Sequence, residues 1–164
     1  MFTLTVVICT GTPGSGKTRI AKMIAHMYKL KYIDLNKEMR NHRLYRSYDL
    51  KLHSYVVDIG DLRKFLVSFI RKHDDTVLDS HLSHYLGKRY VDLCIVVKCG
   101  ITVLKKRLER RGYSKVKIRE NLDAEIFDVC LVEATEFGHK VVVIDTTKGF
   151  RGDFNALLKK KIHS

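Results

Sequence analysis

The sequence predicts an α/β protein built on a five-stranded, parallel, doubly wound sheet, and three observations lead to this fold class. Five short apolar segments alternate with segments of helical periodicity, as in a parallel sheet covered by helices on both faces. The 164 residues, 45% of them hydrophobic and 30% charged, suffice for one ordinary domain with a core. A glycine-rich turn joins the first apolar segment to the first helix. We therefore expect a single domain over residues 1–164, with its ligands at the carboxyl ends of the strands.

Each predicted strand is a short, almost continuously apolar run, as expected of strands buried on both faces. Asp58 and Ser114 are side chains suited to cap a following helix, whereas Gly112 and Gly138 interrupt the helical pattern. The tyrosine-rich stretch 36–55 has no clean period and is interpreted as a short helical insertion. The predicted strands are 2–9, 30–35, 75–79, 91–98 and 140–145. The predicted helices are 17–28, one beginning after Asp58, 101–110, one long helix from Ser114 to about Phe137, and 154–162.

Composition and charge exclude several classes of protein. No stretch approaches the ~20 apolar residues of a membrane span, so we expect no membrane partner. The beginning of the chain lacks a basic leader and a cleavage site, and the cysteines lack CxxC spacing, which favours buried reduced thiols and a cytoplasmic or nuclear interior. The net charge of +13 would attract phosphates, nucleotides or RNA, although charge alone equally fits a surface that only maintains solubility. The four cysteines are Cys9, Cys94, Cys99 and Cys130.

The stretch CTGTPGSGKT carries the most specific chemical signal. Gly11, Gly16, Lys17 and Thr18 satisfy GxxxxGK[ST], with an apolar strand before the motif and an amphipathic helix after it. Its glycines let successive backbone amides point into one hollow, where they and the helix N-terminus bind the phosphates of a nucleotide. Lys17 supplies a positive charge to the outer phosphates, and the Thr18 hydroxyl is a ligand for Mg²⁺.

Two polar residues follow the third predicted strand. Asp79 ends that strand, where its carboxylate would order Mg²⁺, although aspartate at a strand end is also a common cap. His81 would orient a water or contact a phosphate. A metal site made by His81 with His84 is the weaker alternative, because no third ligand has suitable spacing.

Several arginines are candidates for binding the phosphoryl group. Arg107 and Arg111 stand four residues apart on a predicted helix that ends at a glycine, so we expect both guanidinium groups to close over the transferring phosphoryl group. The alternative is a solvated basic helix face. Arg40, in the insertion after the second strand, is placed by topology to bind the phosphate of an acceptor nucleotide.

With these residues assembled, the chain resembles the adenylate kinase-like ATPases of archaea and eukaryotes, whose eukaryotic member is the coilin-interacting nuclear ATPase. The resemblance spans nearly the whole chain and looks closer to an archaeal member. It is carried by GTPGSGKT from Gly11, KYIDL followed by Arg40, LDSH at 78–81, RLERRGYS at 107–114, and KIRENLDAEIFDVCLVEA at 117–134.

This resemblance implies a P-loop nucleoside monophosphate kinase fold with an acceptor segment at about 34–57 and a lid segment at about 110–120. Asp79 and His81 would correspond to the family's modified Walker B pair, on which ATPase activity depends. AMP would be bound by Asp34 and Arg40. ATP would be bound by Gly11, Gly14, Ser15, Gly16, Lys17, Thr18, Arg19, Arg111 and Lys148.

The implied activity is ATP:AMP phosphotransfer together with Mg²⁺-dependent ATP hydrolysis, with ATP, ADP and AMP as ligands. The family also implies a role in maturation of the small ribosomal subunit, through its platform ribosomal protein and possible contact with rRNA or the pre-ribosome. The alternative is an assembly factor switched by nucleotide, with weak or no kinase activity. One candidate contact surface is a row of acidic residues on the long predicted helix: Glu120, Asp123, Glu125, Asp128, Glu133 and Glu136.

Overall fold

The computed structural model describes residues 5–162, which form seven strands and seven α-helices. Two single turns of 3₁₀-helix, Ser83–Tyr85 and Lys88–Tyr90, lie between the fifth and sixth strands. The strands are β1 (Val6–Thr10), β2 (Lys31–Asp34), β3 (Tyr45–Asp49), β4 (Ser54–Val57), β5 (Thr76–Asp79), β6 (Leu93–Lys98) and β7 (Val141–Asp145). The helices are α1 (Lys17–Tyr28), α2 (Leu35–Asn41), α3 (Ile59–Ile70), α4 (Ile101–Arg110), α5 (Lys115–Ile126), α6 (Val129–Glu136) and α7 (Phe154–Ile162).

Five of the strands form one parallel sheet in the order β2-β5-β1-β6-β7, which confirms the predicted fold class. The register places Asp34 opposite Asp79, and Asp79 opposite Cys9. Because the strands run in the same direction, their carboxyl ends meet along one edge of the sheet. The two carboxylates and the glycine-rich turn after β1 therefore lie at that edge.

Apolar side chains cover both faces of the sheet. On one face, Ile20 and Ile24 of α1 pack with Ile95 of β6. On the other face, Leu62 and Leu66 of α3 pack in a cluster that includes the strand residues Ile8, Leu78 and Val96. All of these residues are buried, which accounts for the apolar character of the predicted strands. No helix within residues 5–162 is both long and apolar enough to cross a membrane.

The local signals for helix ends are confirmed. The Asp58 carboxylate accepts a hydrogen bond from the Asp61 amide at 3.0 Å, and the Ser114 hydroxyl accepts one from the Lys117 amide at 3.2 Å. The predicted helices 17–28, 101–110 and 154–162 form with those bounds. The first strand begins at Val6, and the part of the predicted strand before residue 5 lies outside the described residues.

The interpretation of residues 36–55 as a helical insertion is wrong for its second half. Helix α2 ends at Asn41, and β3 and β4 then form a separate antiparallel hairpin. Its tyrosines pack across the two strands: the rings of Tyr45 and Tyr55 stack with centroids 4.7 Å apart, and Tyr48 meets Tyr55 edge-on at 5.0 Å. Cross-strand aromatic pairs of this kind stabilise a hairpin, and they have no helical period.

The prediction of one long helix from Ser114 to Phe137 is also wrong. The chain breaks between α5 and α6 at Asp128, which adopts a left-handed conformation with φ of 53°. The Asp128 carboxylate there contacts the ammonium group of Lys98, at the end of β6. The predicted acidic row is divided by this break: Glu125 is buried, and Glu133 bonds to the ring of His84 at 2.7 Å.

Candidate functional site

The turn between β1 and α1, residues 11–18, is here called the phosphate loop, and its shape requires glycine. Gly11, Gly14 and Gly16 have φ values of 148°, 87° and 94°. A Cβ atom on Gly11 would overlap the carbonyl oxygen of Val97, and one on Gly16 would lie 3.2 Å from the Thr146 hydroxyl oxygen. The loop backbone therefore packs directly on the ends of β6 and β7. The first turn of α1 follows this loop, and its amides lack acceptors within the helix, as in an anion site at a helix N-terminus.

Two side chains that follow β6 and β7 in the chain bond to the phosphate loop and hold it in place. The Thr146 hydroxyl, after β7, donates a hydrogen bond to the Ser15 carbonyl oxygen. The Arg107 guanidinium donates to the carbonyl oxygens of Gly14 at 3.2 Å and Thr146 at 3.1 Å. Arg107 and Arg111 line one cavity together, and the Arg107 donors bond the loop and Thr146 in this structure. Their closure over a phosphoryl group stays a prediction.

Asp79 is the centre of a polar cluster beside the loop. One oxygen of its carboxylate, Oδ2, accepts hydrogen bonds from the Thr18 hydroxyl at 2.7 Å and from the Tyr32 hydroxyl at 2.8 Å. The side chain is 5% exposed, and its other oxygen, Oδ1, has no hydrogen-bond partner among residues 5–162. A buried carboxylate oxygen without a partner is costly unless a ligand satisfies it. An aspartate oxygen beside a threonine hydroxyl suits Mg²⁺, so these residues fit that ion.

Burial shifts the pKa values of three side chains near the loop. Burial lowers the pKa of the Lys17 ammonium, and the nearby Asp79 carboxylate partly opposes this effect. Burial and then the charge of Lys17 lower the pKa of His81 to about 4, so its imidazole is neutral at physiological pH. Burial, followed by the hydrogen bond to Asp79, raises the pKa of Tyr32, so this hydroxyl remains a donor.

A cavity of about 860 Å³ at the carboxyl edge of the sheet brings together most of the predicted site residues. The phosphate loop and Arg111 lie on its wall, and so do the two acceptor candidates, Asp34 and Arg40. Asp34 also caps α2 by accepting a hydrogen bond from the Lys37 amide at 3.1 Å. The predicted site residues along this cavity are Gly14, Gly16, Lys17, Thr18, Asp34, Arg40, Asp79, His81 and Arg111.

A second cavity of about 510 Å³ adjoins the first, since Gly14, Gly16 and Arg111 line both. Arg19, Arg107 and Arg110 line it as well, opposite the loop that follows β7. In that loop the lining residues are Gly149 and Phe150, whereas Lys148, the residue expected beside the adenine, is exposed and does not line the cavity.

Residues 110–120 and 34–57, the segments expected to form the lid and to bind the acceptor, contact each other beside the main cavity. Lys117, at the start of α5, donates a hydrogen bond to the carbonyl oxygen of His53 at the tip of the hairpin, at 3.0 Å. The same ammonium lies 4.3 Å from the centre of the Tyr113 ring. These contacts bring the two segments together on one side of the cavity.

Four further residues that contact the site were not selected from the sequence as site residues: Tyr32, Glu125, Glu133 and Thr146. Thr146 follows the last residue of β7, where a polar residue at the carboxyl edge of the sheet is a usable signal. Tyr32 is the second residue of β2 and has no such signal. Glu125 and Glu133 carry no such signal, because they lie among other acidic residues of similar spacing.

A phosphate loop at the first strand-to-helix turn of this sheet, beside a cavity lined by cationic and carboxylate groups, defines the class of P-loop proteins with a kinase-type fold. A shikimate kinase from Acinetobacter baumannii in complex with shikimate superposes with a TM-score of 0.55 at 15% identity, over 98% of this chain and 92% of that one. A deoxyadenosine kinase from M. mycoides with bound dATP gives 0.54 at 14% identity, over 98% and 100%. At these identities the likeness shows the fold alone.

Proteins found by sequence comparison are more similar to this chain than those solved structures are. Residues 7–128 match the family described as "AAA domain". A Methanocaldococcus jannaschii protein named "Putative adenylate kinase" is 41% identical over 141 residues, which cover 86% of this chain and 76% of that protein. A protein of the same name from Thermococcus kodakarensis is 37% identical over 145 residues, covering 87% and 76%. The chain therefore belongs to the family of these relatives, which are adenylate kinase-like P-loop kinases.

Proposed function

We propose that this protein transfers the γ-phosphoryl group of ATP to AMP in the presence of Mg²⁺. The observation that carries the proposal is the main cavity, which is lined by the phosphate loop and Asp79 and also by the acceptor candidates Asp34 and Arg40. The names of the relatives in archaea support the same reaction. A single cavity of about 860 Å³ that both segments line gives donor and acceptor phosphates a shared space.

On the donor side, the amides of the phosphate loop and Lys17 bind the β- and γ-phosphates. Arg111 follows the last residue of α4 and lines both cavities, which supports a role for its guanidinium in neutralising charge that develops on the transferring group. Thr18 and Asp79 hold Mg²⁺, which when bound neutralises charge on the phosphate oxygens. Because phosphoryl transfer requires little covalent chemistry from the protein, positioning and charge supply most of the catalysis.

On the acceptor side, Arg40 lies on α2 and is exposed along the cavity, where a guanidinium binds a phosphate through two parallel hydrogen bonds. Asp34, whose carboxylate accepts the capping hydrogen bond of α2, lines the same cavity. We propose that Arg40 binds the α-phosphate of AMP and that Asp34 orients the nucleotide.

Hydrolysis of ATP without an acceptor is the second reaction we propose for this site. His81 lines the same cavity two residues after Asp79, and its neutral imidazole can accept a hydrogen bond from a water molecule. When AMP is absent, a water oriented in this way takes the place of the acceptor oxygen. The His81→Ala variant should then lose ATP hydrolysis to a greater extent than AMP phosphorylation.

An assay of ADP formation with and without AMP tests the proposed kinase reaction. We expect AMP to accelerate ADP formation and to yield two ADP for each ATP consumed. Arg40→Met should raise the KM for AMP about tenfold or more, since a charge-assisted contact is lost. Lys37→Met, which removes an exposed cation from the same helix outside the cavity, is the matched control. No AMP-dependent ADP formation at millimolar AMP would exclude the kinase reaction.

A second proposed function, which the sequence resemblance supports, is nucleotide-dependent attachment to a platform protein of the small ribosomal subunit, or to its rRNA, during maturation. One structural feature favours a docking role: the turn between α5 and α6 exposes Ile126 and Phe127, and Phe127 is 71% exposed. Recovery of the platform protein with ATP, with ADP and without nucleotide tests this function. Equal recovery in all three states would exclude a nucleotide-dependent switch.

A further inference from the structure

Glu125, on α5, has a buried carboxylate, and both of its oxygens accept hydrogen bonds from residues beside the phosphate loop. Its side chain is 6% exposed. Oxygen Oε2 accepts a hydrogen bond from the Thr12 hydroxyl in the phosphate loop at 2.6 Å, and Oε1 accepts one from the Cys99 amide after β6 at 2.9 Å. The carboxylate therefore joins the first half of the phosphate loop to the end of β6.

Thr12 shapes the phosphate loop through its own backbone. Its carbonyl oxygen accepts a hydrogen bond from the Ser15 amide at 3.0 Å, which closes the turn containing Pro13 and Gly14. A shift of Thr12 would therefore move the following amides, which bind the phosphates. Arg107 and Thr146 hold the middle of the loop, at Gly14 and Ser15.

The charge of Glu125 is partly offset by a lysine that it shares with a second carboxylate. The Lys98 ammonium lies 3.6 Å from Oε1 and also contacts the carboxylate of Asp128 at the break between α5 and α6. Because a buried carboxylate near a phosphate site repels phosphate, this cation reduces the repulsion, although it is shared with Asp128. We therefore assign the effect of Glu125 on the phosphate loop to its hydrogen bonds and not to its charge.

We infer that Glu125 is a positioning residue for ATP: it acts through Thr12 to fix the first half of the phosphate loop in the shape that binds phosphates. This inference rests on the proposed function in taking ATP as the ligand of the loop. It adds a residue after the lid segment to those that set the affinity for ATP, and it predicts that the affinity for AMP is independent of this residue.

Three variants separate the hydrogen bonds from the charge. Thr12→Val keeps the shape of the side chain and removes the donor. Glu125→Leu removes both acceptors. Glu125→Gln keeps the geometry, because its amide oxygen can accept from the Cys99 amide while its NH₂ group donates to the Thr12 hydroxyl oxygen. Thr135→Val is the matched control, since the hydroxyl of Thr135 bonds only within α6, to the Leu131 carbonyl oxygen.

The readout is the dissociation constant of a magnesium complex of a non-hydrolysable ATP analogue, measured by calorimetry beside that of AMP. We expect Thr12→Val and Glu125→Leu each to weaken the analogue about tenfold, with AMP affinity unchanged. The double variant should bind no more weakly than Glu125→Leu, because both changes remove the same contact. Glu125→Gln and Thr135→Val should bind like the wild type.

The inference is overturned if Thr12→Val binds the analogue as tightly as the wild type, if AMP affinity falls equally, or if Glu125→Gln is as weak as Glu125→Leu. Should Glu125→Leu fail to fold, Thr12→Val and Glu125→Gln still decide the question. Because the readout is binding, it is separate from the kinase reaction: a wild type that binds the analogue but forms no ADP from AMP would overturn the proposed function alone.

Discussion

Replacement of Arg107 distinguishes a positioning role from a catalytic one. Its guanidinium donates to the Gly14 carbonyl oxygen at 3.2 Å, to the Thr146 hydroxyl oxygen at 3.2 Å and to the Thr146 carbonyl oxygen at 3.1 Å. A hydrogen bond to a charged donor contributes about 1.5–3 kcal/mol net. These acceptors are only part-buried, so water can replace some of the lost donors in Arg107→Met. We therefore expect the three hydrogen bonds together to contribute about 1.5–3 kcal/mol to the stability of the loop conformation.

The loss of these hydrogen bonds should lower the affinity for ATP. Without Arg107, the phosphate loop must be ordered when ATP binds, and about 1.4 kcal/mol corresponds to a tenfold change in affinity. We therefore expect the KM for ATP to rise about 10- to 100-fold, with kcat at saturating ATP and AMP within about threefold of the wild type. Steady-state ADP formation over a range of ATP concentrations measures both constants.

The matched control is Lys106→Met, which removes an exposed cation from the neighbouring position of α4. If Arg107 instead neutralised the transferring phosphoryl group, its loss would lower kcat by about a thousandfold or more. A large fall in kcat with an unchanged KM for ATP would refute the assignment of Arg107 to loop positioning.

Three other predictions follow from the same geometry. Gly16→Ala should abolish ATP binding measured by calorimetry, because its Cβ would press on Thr146 at a left-handed φ of 94°; unchanged affinity would contradict this. Asp79→Asn should raise the Mg²⁺ concentration needed for half-maximal activity about tenfold or more, and an unaltered Mg²⁺ titration would contradict its role as a ligand. Burial lowers the pKa of His84 and His139 below the ordinary 6.5, so the unfolded chain binds more protons; urea unfolding should show less stability at pH 5.5 than at pH 7.5, and equal or greater stability would contradict this.

Where the sequence was a sufficient guide, the determining chemistry is local. The phosphate loop needs glycine at positive φ and a following helix, and both requirements are met within ten residues. Asp58 and Ser114 cap helices through amides three residues away. The apolar strands identify themselves because a parallel sheet buries both faces of each strand. The fold class and the loop could therefore be predicted.

Where the sequence was insufficient, a distant residue determines the local structure. The helix break at Asp128 depends on Lys98, which lies 30 residues earlier. The hairpin depends on tyrosines that pair across a turn, such as Tyr45 with Tyr55. Helical spacing correctly placed Arg107 one turn before Arg111, but the bonds of Arg107 to Thr146, which follows the last strand of the sheet, have no local signal in the sequence.

A calorimetric titration of ATP into the wild type and into Lys17→Met, each with and without Mg²⁺, tests most directly whether the phosphate loop binds a nucleotide. We predict magnesium-dependent binding by the wild type that is weakened about tenfold or more in Lys17→Met, because a charge-assisted contact to the phosphates is lost. Burial disfavours the Lys17 charge, so the variant should unfold at no lower urea concentration. The absence of magnesium-dependent binding by the folded wild type, or equal binding by both proteins, would contradict the assignment of the loop as the ATP site.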